Sequence, residues 1–199
     1  MFYRPEAGHG LPHNPWNAIV APRPIGWIST RGRQGDNLAP YSFFNATAYV
    51  PPQVMFASTG AKPDRPGTKD TVAQVAESRV FCVNIADASL AAAMNASSAP
   101  APAGVDEFAL AGMTAASCET IDCPRVAEAA ASLECRATRI IRQAGQANHI
   151  VLGVVTGIHI REDCLNDGIF DLRAAGWLAR LGHNDYAVIT QTFEMERPA

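Results

Sequence analysis

The sequence predicts a mainly β chain, an antiparallel barrel with short helical insertions. Strand-like segments recur through most of the chain, separated by turn residues. The helical stretches are few and short, and they lack the regular alternation with strands that a doubly wound sheet requires. Ile150-Val151-Leu152-Gly153-Val154-Val155 is apolar at consecutive positions, as expected of a strand covered on both faces deep in a barrel or sheet. With 199 residues, 48% of them hydrophobic and 18% charged, the chain can bury one sizeable core.

Residues 1 to 17 are rich in Pro, Gly and His and read as an extended N-terminal arm, leaving 18 to 199 as the folded domain. Ile19-Val20-Ala21 and Ile25 to Thr30 are strand-like, and Pro22 and Pro24 between them imply an edge or a bend. Gly32 to Asn37 is a polar turn. Tyr41-Ser42-Phe43-Phe44 and Val54 to Ser58 are the next short strands, parted by Pro51-Pro52. Val72, Val75 and Ala76 give Thr71 to Glu77 the period of a short amphipathic helix, and Arg79 to Ile85 follows as an apolar strand. Ser89 to Ala96 reads as a second helix, stopped by the proline-rich loop after it, and Asp106 to Leu110 as a further helical turn. The last third is strand-rich, at Leu133 to Ile141, Ile150 to Ile160 and Tyr186 to Phe193.

Several function classes lack support. The formal charge of -3 argues against a nucleic-acid binder, which presents a basic face. No run approaches the roughly 20 apolar residues of a membrane-spanning helix, and the N-terminus lacks the form of a signal peptide, so a cytoplasmic location is expected. Five scattered cysteines are then expected to stay reduced, and Cys118 with Cys123 lacks the spacing of a zinc site, so no metal is expected. There is no phosphate-binding P-loop, no G-x-G-x-x-G fingerprint and no G-x-S-x-G elbow. Pro12 between His9 and His13 argues against a helix presenting both to one metal. His149 and His159, ten residues apart on one strand, are expected on the same side of it.

Three segments stand out in order. They are Arg23-Pro24-Ile25-Gly26-Trp27-Ile28-Ser29-Thr30, then Asn37 to Asn45 followed by Pro51-Pro52, then Lys69-Asp70-Thr71. With Phe81 to Ile85, Asp106-Glu107-Phe108, Leu133-Glu134-Cys135 and Arg197-Pro198, the set resembles the flavin reductase-like family of FMN-binding split-barrel proteins. The resemblance covers nearly the whole chain after the first dozen residues. It implies a Greek-key split β-barrel, noncovalent FMN, NADH or NADPH as co-substrate, a homodimer, and a monooxygenase as one possible recipient of reduced flavin. It also implies ribityl and phosphate contacts at Ser29, Thr30, Ser58 and Thr59.

The residues support a flavin pocket on physical grounds as well. A phosphate dianion needs positive potential and donors. Lys69 supplies charge, Thr71 a hydroxyl, and Asp70 is expected as the N-cap that leaves backbone N–H groups free at the helix end. Ala39-Pro40-Tyr41-Ser42 suits close backbone approach to the polar edge of a flat ring, with Ser42 and Asn45 adding side-chain polarity. Trp27, Tyr41, Phe43 or Phe44 could cover a ring face, although at least two of the four are expected in the core. His183 stands where the family pattern has the second of two glycines before a tyrosine, either a proton donor near neutral pH or a surface-loop substitution. Gln74 stands where the family often has Asn.

The activity expected from these features is FMN-dependent hydride transfer from a reduced nicotinamide, the protein orienting the two rings. The alternative is a noncatalytic FMN-binding or electron-transfer module. A pyridoxamine-phosphate oxidase relative would need a basic pocket for a second phosphate, and the sequence shows no matching Arg/Lys cluster.

Overall fold

The computed structural model describes residues 1–62, 67–102 and 104–198, and the architecture below is that of these residues. After a single 3-10 turn at Pro5–Ala7 come helix α1 (Trp16–Ile19) and strands β1 (Arg23–Pro24), β2 (Gly26–Gly32), β3 (Gly35–Tyr41), β4 (Phe44–Ala48) and β5 (Gln53–Ser58). Helix α2 (Asp70–Ser78) precedes β6 (Val80–Ile85), and α3 (Ala91–Ala96) and α4 (Glu107–Ala111) precede the hairpin of β7 (Ala115–Ser117) and β8 (Pro124–Val126). The two long strands β9 (Ala131–Arg142) and β10 (His149–Ile160) follow. The chain then forms β11 (Leu165–Asn166), β12 (Ile169–Phe170), β13 (Leu178–Arg180) and β14 (Tyr186–Val188).

Seven strands form one antiparallel sheet in the order β3-β2-β6-β9-β10-β5-β4, and β1-β13-β14 form a smaller one. The mainly β, antiparallel architecture matches the expectation. Alternation explains β5, where Val54, Phe56 and Ser58 are buried and the residues between are half-covered. β6 is buried at every position. Phe81, Val83 and Ile85 enter the main core, while Val80 and Cys82 pack against Ile121 and Cys123 beside the β7–β8 hairpin. Phe81 meets Phe56 edge-on, 5.3 Å between ring centroids. A Cβ at residue 153 would stand 2.6 Å from the Phe81 ring, so Gly153 makes room for it. A second core under α3 and α4 gathers Trp27, Leu38, Met94, Phe108 and Val126. Burying each large side chain of these cores is worth about 1.5–3 kcal/mol.

Several elements differ from the sequence expectation. Ile19-Val20-Ala21 is no strand: Pro15 opens a helical turn by accepting from Ala18 and Ile19, and Val20 and Ala21 follow outside any ladder. Tyr41 to Phe44 is broken by a bend at Ser42 and Phe43. This sends both Tyr41 and Phe44 into the core and leaves Phe43 half-buried. Tyr186 to Phe193 pairs only as far as Val188, because β13 offers just three residues to pair with, and Phe193 is 85% exposed. Gly32 to Asn37 is mostly ladder, with the turn confined to Arg33-Gln34. β10 is buried on one face, at Val151 and Gly153, and only half-covered at Ile150, Leu152 and Val154. A bulge at Thr156 also interrupts its alternation, so the ten-residue spacing does not set His149 and His159 on one side.

Candidate functional site

A cleft opens where the end of β3, the Ser42-Phe43 bend, the end of β5, the start of α2 and the loop after β13 converge. It has two lobes, of about 480 and 290 Å³, joined at Pro40, Tyr41, Lys69 and Ser98. Sites for small molecules span about 300–1,000 Å³. The smaller lobe lies over the start of α2 and is lined by Asn37, Ala39, Lys62, Asp70, Thr71 and Glu107 among others. The larger one reaches past Ser42, Phe43 and Thr59 to Arg23, Arg180 and His183.

α2 begins without a side-chain cap. Lys69, not Asp70, is its extended N-cap residue (φ -87°, ψ 163°), and the Lys69 side chain makes no capping hydrogen bond to the first turn. Asp70 is the first helical residue and pairs with Lys62. The expected capping role of Asp70 is thereby corrected: the nearby ammonium claims its carboxylate, which still sits favourably at the positive end of the helix. The Thr71 hydroxyl accepts from the Asn37 amide at 2.9 Å and stands beside the Tyr41 phenol. Tyr41 is buried beside the Thr71 and Ser58 hydroxyls. Burial pushes its pKa up to about 12, against the opposing contacts with those two hydroxyls, and the phenol is neutral at ordinary pH. Burial lowers the pKa of Lys69, whose ammonium stands 6.0 Å from the Tyr41 ring centroid. The Glu107 carboxyl is raised by burial, though it accepts from the Leu38 N–H at 3.3 Å.

The structure thus brings together Ala39, Tyr41, Ser42, Phe43, Thr59, Lys69, Asp70, Thr71 and His183. Ser58 is buried directly behind this surface, next to Tyr41. Other expected residues face elsewhere. Trp27 is fully buried in the second core, donating to Ser97 Oγ at 2.8 Å, so it covers no ring in the cleft. Ser29 is fully buried and donates to the Pro124 carbonyl at 2.6 Å. Thr30 donates to Gln74 Oε1 at 2.6 Å, and the Gln74 amide donates to the Gly35 carbonyl, a clasp between α2 and the β2–β3 hairpin. Asn45 is exposed and accepts from the Ala46 N–H. The alternation of β2 toward the core and α2, rather than toward the cleft, accounts for the first three.

Sequence reasoning missed the basic wall of the larger lobe. Arg23 and Arg180 are direct cross-strand partners in the β1–β13 ladder, and both line the lobe with Lys69. The expectation of no Arg/Lys cluster is corrected: one exists in three dimensions, invisible in sequence because its members come from strands 157 residues apart and from the start of α2. Only the Arg23-Pro24 pair of the first segment hinted at it. Arg23 Nη2 donates to the Leu181 carbonyl at 2.7 Å, and Nη1 to the carbonyls of Asn17 and Val20, fastening α1 to the loop after β13. The arm therefore reaches the cleft rim. Asn17 lines the larger lobe, and the His13 and His183 rings meet at 4.9 Å between centroids. His183 adopts φ +51°, a left-handed conformation that favours glycine. Among the described residues no group of three or more metal-ligating side chains is suitably arranged, and no helix is long and apolar enough to cross a membrane.

Comparison with known proteins bears on the family and the fold. An uncharacterized protein of Deinococcus radiodurans is 37% identical over 189 residues, covering 90% of this chain and 82% of its own. The crystal structure of nitrilotriacetate monooxygenase component B from Bacillus cereus superposes with a TM-score of 0.84 at 29% identity, over 94% of this chain and all of that one. A protein with a split barrel domain from Shewanella frigidimarina shares the fold, with a TM-score of 0.81 at 19% identity over 92% of this chain and 90% of its own. The model of the flavin reductase like domain matches residues 20–175. This chain belongs to the flavin reductase like family and has its split-barrel fold.

Proposed function

We propose that the two-lobed cleft binds FMN noncovalently and that the protein passes hydride from a reduced nicotinamide to it. The observation that carries this reading is the meeting, at one cleft, of Lys69, the start of α2, the Thr71 hydroxyl and the Ala39–Phe43 platform. Bound FMN supplies a two-electron acceptor for hydride. Lys69 and the first-turn N–H groups of α2 hold the phosphate, with Thr71 donating its hydroxyl proton. The Ala39–Ser42 backbone meets the polar ring edge, and half-buried Phe43 lies against the ring system. Tyr41, kept neutral by burial, closes the floor and excludes water between the lobes. No side chain need act as acid or base, since the protein's share is orientation and stabilisation of developing charge.

The family and the likeness to a monooxygenase component support a partner that consumes reduced flavin. The half-covered face of β10, with Ile158 57% exposed and Tyr49 91% exposed on a nearby loop of the same sheet, supports a homodimer. The five unpaired cysteines support a reducing, cytoplasmic setting. The test is a titration with FMN followed by steady-state oxidation of NADH and NADPH. Saturable FMN binding with turnover above free flavin is expected. Tight binding with no such turnover would replace the reductase reading with an electron-transfer module, and no binding would end both.

A further inference from the structure

The larger lobe holds more positive charge than one flavin phosphate at the start of α2 would use. Arg23 and Arg180 stand directly opposite one another in the β1–β13 ladder. Like charges at that position destabilise a sheet. Arg23 is 7% exposed, its Nε is buried without a partner, and its Nη atoms are spent on backbone carbonyls. Burial and the neighbouring Arg180 both lower its pKa. Arg180 is held over the Tyr186 ring at 4.4 Å and donates one N–H to the His183 carbonyl. Its guanidinium is thereby aimed, not loose. Neither arginine, nor Lys69, has an ion-pair partner among the described residues, and no Asp or Glu lines this lobe. Elsewhere the arginines that pair do so with carboxylates, as Arg31 does with Asp36 and Asp122. A buried guanidinium set against a second one with no counter-ion is costly, and an anionic ligand would relieve that cost.

We propose that Arg180 and His183, backed by Arg23, form a second anion subsite that takes a phosphate of the electron-donating dinucleotide. This rests on the reductase reading and deepens it, because it names what recognises the donor beyond its nicotinamide ring. The planar fork of Arg180 suits bidentate contact with phosphate oxygens, and the loop that follows β13 sets His183 beside it at the mouth. The phosphate has two sources, the pyrophosphate common to both nicotinamide dinucleotides or the 2′-phosphate of NADPH alone.

The experiment uses the full chain loaded with FMN. Binding of 5′-ADP and 2′,5′-ADP is measured by calorimetry, and the KM for NADH and NADPH by steady-state kinetics, for the wild type, Arg180→Gln and His183→Gly. His183→Gly relieves the left-handed strain and so keeps a folded control. Arg180→Gln is expected to weaken adenine-nucleotide binding at least tenfold, and His183→Gly severalfold, with the FMN dissociation constant unchanged. Loss confined to 2′,5′-ADP and NADPH assigns the 2′-phosphate; equal loss for both donors assigns the pyrophosphate. Unchanged nucleotide binding in both variants, or a loss of FMN affinity in its place, overturns the subsite. A wild type that binds these nucleotides but oxidises neither donor would instead defeat the reductase reading, while the effect of Arg180→Gln on nucleotide binding still decides the subsite.

Discussion

The cleft and the central strand of the large sheet treat buried charge in opposite ways. Around Glu134 on β9, a fully buried carboxylate is satisfied from every side. It accepts from the Glu119 N–H at 2.7 Å, from the Thr120 N–H and hydroxyl at 2.6 Å each, and is bonded to His159 Nε2 at 2.5 Å. Those contacts pin the turn between β7 and β8 onto the sheet. Burial alone would raise the Glu134 pKa. The Thr120 hydroxyl, the two backbone N–H groups and His159 outweigh that and hold it at about 2. In the larger lobe, Arg23 and Lys69 are desolvated and half-buried Arg180 stands beside Arg23, with no acid in the lining. The first arrangement is complete without a ligand and the second is not. A buried charge whose partners are all present is architecture; one whose partners are missing is an address for something that binds.

The largest expected effect comes from breaking the complete arrangement. Glu134→Ala would strand two backbone donors and His159, and should lower the unfolding free energy by about 3–5 kcal/mol, read from a urea melt. The wild type should also lose this contribution in acid. A depressed folded pKa gives stability that is full above the unfolded value of about 4.3 and lost as pH falls toward about 2. Urea midpoints measured between those limits should therefore fall more steeply for the wild type than for Glu134→Gln. A parallel fall would mean that Glu134 does not hold the turn.

Removing charge from the incomplete arrangement should do the reverse. Lys69→Ala is expected to weaken FMN binding ten- to hundred-fold, about 1.5–3 kcal/mol, while leaving the melt of the ligand-free protein unchanged or slightly raised. A large loss of stability with unchanged FMN affinity would make Lys69 a structural residue like Glu134. The smallest effect sharpens the boundary between core and cleft. Trp27→Phe removes the donor to Ser97 and should cost about 1 kcal/mol of stability with FMN affinity held within twofold. A large shift in affinity would return Trp27 to the flavin site.

Much of the site was legible because it is local. Lys69, Thr71 and the Ala39–Phe43 stretch lie within short motifs whose chemistry can be read directly, and all of them reach the cleft. Trp27, Ser29 and Thr30 were misdirected by the same motif logic. On a strand between β3 and β6, which face reaches solvent is set by what packs above it, here α2 and the layer of α3 and α4. The helix cap was placed one residue late because Lys62, eight residues earlier in the chain, pairs with Asp70. The extended Tyr41–Phe44 strand failed because Tyr41 and Phe44, three positions apart, both enter one core, where an unbroken strand would point them to opposite faces.

The sequence by itself determined the β class, the positions of most strands and the segment that meets an anion. Those follow from periodicity and from residue chemistry within a few positions. The Arg23–Arg180 wall, the satisfied cage of Glu134 and the contact of His13 with His183 were decided only by tertiary structure. Each joins residues far apart in the chain, and whether a charge is paired depends on what the fold sets across from it, which no local pattern encodes.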